Sequence, residues 1–153
     1  MKGAMILVDT NLLCRLAHHG HDDSHVARNA MRDLRQRGEQ LAILPQNLYE
    51  FWSTATRPKG APPSGSNGLG MSTPLVDKWL DFFQHRFTVL PDSERILPLW
   101  RDLVRAHRIV GHRCHDVRIV AAMQAHGVAD LLTFNVRDFK QFSFLNILDP
   151  RTV

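Results

Sequence analysis

The chain has 153 residues, 44% of them hydrophobic and 22% charged. That suits one domain over residues 1–153 with a core of its own, and it excludes a disordered chain, which would be poorer in apolar residues. Uncharged apolar runs are short, such as Ala4 to Val8, so no membrane span is expected. The formal net charge of +4, carried mostly by Arg, is compatible with a polyanionic partner.

In chain order, Met5-Ile6-Leu7-Val8 is too short for a helix and reads as a buried strand, with Asp9-Thr10-Asn11 directly after it. The stretch from His18 to His25 is polar, contains Gly20 and reads as a loop. Ser24 could cap a helix to about Gln36, its stripe formed by Val26, Ala27, Ala30, Met31 and Leu34, with Gly38 as the stop. Leu41 to Leu44 reads as a second strand, closed by Pro45. A helix from about Gln46 to Thr56 buries Leu48, Phe51, Trp52 and Ala55, and Glu50 falls off that stripe. Arg57 to Pro74 is a Gly-, Pro- and Ser-rich loop, either a substrate rim or an inert connection.

Thr73-Pro74 opens a helix to about Arg86, followed by a third strand at Phe87 to Leu90. Another helix runs from Ser93 to about His107, and Ile109 to Cys114 is a connection. His115 to His126 is helical with Gly127 as its C-cap. Leu131 to Phe134 is a fourth strand, Asn135 to Asp138 a turn, and Leu145 to Leu148 a fifth strand. Apolar strands alternating with helices imply an α/β fold: a central parallel sheet of four to five strands, covered by helices on both faces. Right-handed crossovers align the carboxyl ends of the strands along one edge, where such sheets place their sites.

Asp9 follows strand one, and Asn135 and Asp138 follow strand four, so all three fall on that edge. Glu50 lies a turn into the helix after strand two, and Asp116 opens a later helix. Four acids from distant segments could share one cleft, and a carboxylate cluster calls for cations. Hard divalent ions such as Mg²⁺ or Mn²⁺ suit oxygen ligands and phosphodiester hydrolysis. Each acid also has a plainer reading: Asp9 an N-cap, Glu50 a solvated helix residue, Asp116 a charge favouring a helix N-terminus, Asp138 a turn residue.

Four segments in order resemble the motifs of PIN-domain ribonucleases, most of all the toxins of type II toxin–antitoxin pairs known as VapC. They are Ile6-Leu7-Val8-Asp9-Thr10-Asn11, Asn47-Leu48-Tyr49-Glu50-Phe51, His115-Asp116-Val117-Arg118-Ile119-Val120-Ala121-Ala122, and Leu132-Thr133-Phe134-Asn135-Val136-Arg137-Asp138-Phe139. Thr56-Arg57-Pro58 with Asn67-Gly68-Leu69-Gly70 adds a further likeness to one bacterial subset.

The resemblance covers essentially the whole chain. It implies a Mg²⁺- or Mn²⁺-dependent endoribonuclease acting on single-stranded RNA, read as a cytoplasmic homodimer with a cognate antitoxin. Asp9, Glu50 and Asp116 carry over as metal ligands. At the fourth position Asn135 stands where many members have Asp, and Asp138 three residues on would supply the charge. That departure leaves one metal or two open. Thr10, Asn11 and Thr133 resemble orienting positions, and each could equally be a turn or strand-end residue.

Two other readings stand beside this one. One is an RNA- or protein-binding module on the same scaffold, weakened in catalysis by Asn135. The other is a haloacid dehalogenase-like phosphatase with Asp9 as nucleophile, which would want an acid where Asn11 stands. The start of the chain lacks the pattern of a signal peptide, so Cys14 and Cys114 are expected reduced in the cytoplasm. The histidines at 18, 19, 21 and 25 are crowded but lack a second ligand group for zinc. Arg32, Arg35 and Arg37 read as a solvated face. Trp52, Trp79 and Trp100 read as core.

Overall fold

The apolar run at the start of the chain forms the central strand β1 (Met5–Val8) of a five-stranded sheet. It is flanked by β2 (Gln40–Ile43) and β4 (Asp130–Leu132), with β3 (Thr88–Val89) and β5 (Asn146–Leu148) at the edges. Every pairing is parallel, with Leu7 opposite Ala42 on one side and Leu131 on the other. The structure is a computed structural model and describes residues 3–60 and 68–153. Part of the Arg57–Pro74 loop, including Asn67 of the likeness drawn above, lies outside the described residues.

Strand alternation divides the core in two. Ile6, Val8, Leu41, Ile43 and Leu132 face one side. There they pack against α1 (Thr10–Ala17), α2 (Asp23–Gln36), α3 (Pro45–Thr56) and α4 (Thr73–Arg86). Leu7, Ala42 and Leu131 face the other, against α5 (Ile96–Ala106), α6 (Cys114–His126) and α7 (Val136–Phe139). The period-two pattern of these strands puts apolar groups on both faces, each buried side chain contributing about 1.5–3 kcal/mol. The chain winds from β1 outward to β3 with α1–α4 on one face. It then returns to the opposite side of β1 with α5–α7 on the other face. The crevice between the carboxyl ends of β1 and β4 is therefore the switch point where such folds hold their ligands.

Several elements differ from the sequence reading. Thr10–Ala17 is a helix that the sequence reading leaves unassigned. Eight residues are fewer than a periodicity window needs. α2 begins at Asp23, with Asp22 at the N-cap, so Ser24 is a buried residue of its first turn and caps nothing. α5 starts at Ile96, not Ser93, and Gly111–Arg113 within the connection is a 3-10 turn. β4 ends at Leu132, and the expected turn at Asn135–Asp138 is the start of α7. Gly127 ends α6 in the left-handed region, φ 67°, which favours glycine. Both cysteines are free. No helix among the described residues is long and apolar enough to cross a membrane. Trp79 is only half-buried, edge-on to Phe82 and tilted against Phe83 beside an open groove.

Candidate active site

Asp9 sits where β1 turns into α1. Its extended backbone makes it the N-cap, and Oδ1 accepts from the Thr10 N–H at 2.8 Å. The plain N-cap reading and the site reading thus hold together. Its own N–H donates to the Leu132 carbonyl at 3.0 Å, tying the residue to β4. Oδ2 accepts from the Thr133 hydroxyl at 2.8 Å and from Asn11 Nδ2 at 3.4 Å. Thr133 Oγ1 in turn accepts from the Asn135 N–H at 2.9 Å and from Asn11 Nδ2 at 3.3 Å. Asn11, standing where a dehalogenase-like phosphatase would carry its second acid, hands its amide to Asp9.

Glu50 is reached by a second relay. The Thr10 hydroxyl donates to Glu50 Oε1 at 2.8 Å. Asn47 Nδ2 donates to Thr10 Oγ1 at 3.0 Å, while Asn47 Oδ1 caps α3 by accepting from the Leu44 N–H at 2.8 Å. One buried amide therefore starts the helix that carries Glu50 and orients the hydroxyl that holds it. Gln46, also buried, ties α3 to α6: Nε2 donates to the His115 carbonyl at 2.8 Å, and Oε1 accepts from Arg118 at 2.9 Å. Arg118 also pairs with Asp92 at 3.2 Å. The strut fixes the backbone one residue before Asp116.

Asp9, Thr10, Asn11, Glu50, Asp116 and Asn135 line one cleft of about 310 Å³. Asp138 is not among its lining residues, but its charge raises the pKa of Asp116. Arg113 donates to the Asp138 carbonyl at 2.9 Å. Burial pushes Asp9 from its ordinary 3.8 up to about 6, opposed by the Thr133 and Thr10 hydrogen bonds and reinforced by Glu50 and Asp116. Burial also raises Glu50, against the Thr10 and Gln46 hydrogen bonds, with Asp116 adding to the rise. Asp116 is raised by burial and by Asp138, with Arg113, His112 and His115 pulling the other way.

Three mutually repelling, partly desolvated carboxyl groups gain from a nearby cation. The donors are oxygen throughout, the chemistry of a hard divalent ion. Among the described residues no three Asp, Glu, His or Cys side chains already form a group that could hold a metal ion. An all-oxygen donor set of this kind suits an ion that takes carboxylate oxygens and keeps several waters, as Mg²⁺ does.

Sequence reasoning missed Asn47 and Gln46, which carry no charge and sit inside a helix. It also missed Arg15, Thr54 and Cys14, which line the cleft. For Arg15 the signal was available: it stands one helical turn beyond Asn11, once α1 is recognised.

A family model described as PIN domain matches residues 6–145. No curated protein matches the sequence. Among solved structures, VapBC2 from Rickettsia felis, bound to a DNA fragment from its promoter, superposes with a TM-score of 0.66. The identity is 18%, over 94% of this chain and 97% of that one. VapBC-1 from nontypeable Haemophilus influenzae gives 0.66 at 16% identity, over 95% and 98%. VapC20 of Mycobacterium tuberculosis, described as a Sarcin-Ricin loop cleaving toxin, gives 0.62 at 15% identity, over 90% and 95%. At these identities the likeness concerns the fold.

Proposed function

We infer the function from the premise that this chain belongs to the PIN-domain family, whose model spans residues 6–145. On that premise the protein is a divalent-metal-dependent endoribonuclease that hydrolyses single-stranded RNA. The observation that supports this most is the meeting of Asp9, Glu50 and Asp116 in one cleft at the switch point of the sheet. Asp9, Glu50 and Asp116 would hold Mg²⁺ or Mn²⁺, with Asn135 as a neutral oxygen donor and Asp138 adding charge. A divalent ion in such a site supplies a stronger water nucleophile and charge stabilisation for the leaving oxygen.

The chain's own contribution is orientation. Thr133 and Asn11 hold Asp9, Thr10 holds Glu50, and Gln46 sets α3 against α6. Because water attacks rather than the 2′-hydroxyl, the products carry a 5′-phosphate and a 3′-hydroxyl.

The same reading makes the protein the toxin of a toxin–antitoxin pair, neutralised by a small antitoxin over the cleft. Structural neighbours include complexes of toxins with their antitoxins. A groove of about 560 Å³ between α2 and α4, lined by Met31, Trp79, Phe82 and Phe87 and rimmed by Arg28, Arg32 and Arg86, suits an acidic amphipathic segment of that partner. Exposed Tyr49 on α3 and Leu97 on α5 suit a homodimer contact, which sedimentation would test.

The deciding experiment incubates a panel of end-labelled RNAs with Mg²⁺ or Mn²⁺, with EDTA and Asp116→Asn as controls. Cleavage that both controls abolish is expected. Equal silence of wild type and variant, with RNA still bound, would refute the nuclease reading in favour of a binding module.

A further inference from the structure

We propose that Arg15, with Arg57 joined to the cleft wall through Thr54, forms a phosphate-binding subsite one helical turn along α1 from Asn11, gripping the RNA backbone next to the phosphodiester that is cut. This rests on the nuclease reading and adds a contact to it. Asn11 and Arg15 lie one helical turn apart on α1, so both face the cleft that α1 borders, separated by about 6 Å along the helix. Arg15 is half-buried and makes no hydrogen bond or ion pair among the described residues. His112, Arg113 and His115 act on Asp116, and His115 acts on Glu50. Among the described residues no ion pair joins Arg15 to any of the three carboxylates.

Arg57, at the end of α3, donates to the Thr54 hydroxyl at 3.4 Å, and Thr54 lines the same cleft. Burial pushes the Cys14 thiol in the cleft wall up to about 11, with Arg15 and Arg57 opposing the rise and Asp9 and Glu50 adding to it. The cleft thus carries carboxyl groups by the start of α1 and a guanidinium one helical turn along it. A single phosphodiester needs only the first. A polyanion laid along the cleft puts one phosphate at the carboxylates, where a cation can join it, and a neighbouring phosphate against a guanidinium fork, which pairs with phosphate in bidentate fashion. The chemistry selects a chain of phosphodiesters over an isolated one.

The test compares two substrates: bis(p-nitrophenyl) phosphate, with one phosphodiester, and a labelled single-stranded oligoribonucleotide that wild type cuts. Arg15→Gln is expected to lower kcat/KM on the oligonucleotide by about 10–100-fold, the size of a lost charge-assisted hydrogen bond. Its loss on the small diester should be at least about tenfold smaller. Oligonucleotide binding, read by fluorescence anisotropy with Ca²⁺ replacing Mg²⁺, should show a salt slope shallower by about 0.7, one phosphate's worth for a single strand. Arg15→Lys should recover part of both effects, and Arg57→Gln, on a different helix, should shift them the same way. Equal losses on the two substrates, or an unchanged salt slope, would overturn the subsite. Wild type inert on both substrates would overturn the nuclease reading instead, while the anisotropy arm still decides the phosphate contact.

Discussion

Replacing Asp9 by Asn should make the metal-free protein more stable at neutral pH, even as it removes the residue expected to matter most for activity. Asp9 is 6% exposed, and its carboxyl is pushed from 3.8 to about 6 by burial first, then by Glu50 and Asp116. Between those values the folded state holds the proton more tightly than the unfolded one. Wild-type stability therefore falls as pH rises from about 4 to 6 and stays low above. The interval corresponds to about 3 kcal/mol at pH 8. Asn has one acceptor oxygen where Asp9 uses two, so either the Thr10 N–H or the Thr133 hydroxyl loses its acceptor, which costs about 1 kcal/mol. The net gain of about 2 kcal/mol raises Tm by roughly 4–8 °C for a chain of this size.

The assay is thermal unfolding by circular dichroism in EDTA at several pH values from 4 to 8, for wild type and Asp9→Asn. The gap should be near zero at pH 4, or negative by the lost hydrogen bond, and should open by pH 7. Saturating Mg²⁺ should then close it by stabilising wild type selectively. A gap independent of pH, or a variant less stable at pH 8, would refute the argument that buried charge is the cause.

Thr133→Val removes the hydroxyl that bridges Asp9, Asn11 and the Asn135 N–H. With the site at 0% exposure, unfolding stability should drop by about 1–3 kcal/mol and cleavage should fall with it, whereas Thr133→Ser should retain most of both. Phe51→Ala empties a core position whose ring meets Phe83 edge-on at 4.8 Å. Urea denaturation should register a loss of about 3–5 kcal/mol with an unchanged m-value, and a loss under 1 kcal/mol would contradict the packing.

The elements legible in the sequence are those with long apolar periodicity. Phe51 and Ala55 marked α3, and the runs around Leu7, Ala42 and Leu131 marked strands buried on both faces. Asp9 was legible because it follows a strand at the carboxyl edge of a parallel sheet, and Glu50 and Asp116 because they stand in helix segments that resemble the family motifs. What stayed hidden has a common cause. α1 is too short to declare a period, so Arg15 could not be placed beside Asn11. Asn47 and Gln46 look like ordinary polar helix residues until the ends of β1 and α6 are brought beside them. Asp138 could be read as an acid near the site, but only the fold shows that it acts on Asp116 from outside the cleft lining.

The central position of β1 also bears on when the site comes into being. Ile6 pairs with Asp130, more than a hundred residues downstream, and this closure is the most distant contact the sheet makes. Such loops close late and slow folding. The first ninety residues contain Asp9 and Glu50 and can pair β1 with β2 and β2 with β3. They hold neither Asp116 nor the Thr133 that orients Asp9. A chain still leaving the ribosome therefore carries half of the carboxyl cleft beside the largest body of RNA in the cell. It gains the other half only when its last third has been made and has docked against the first strand.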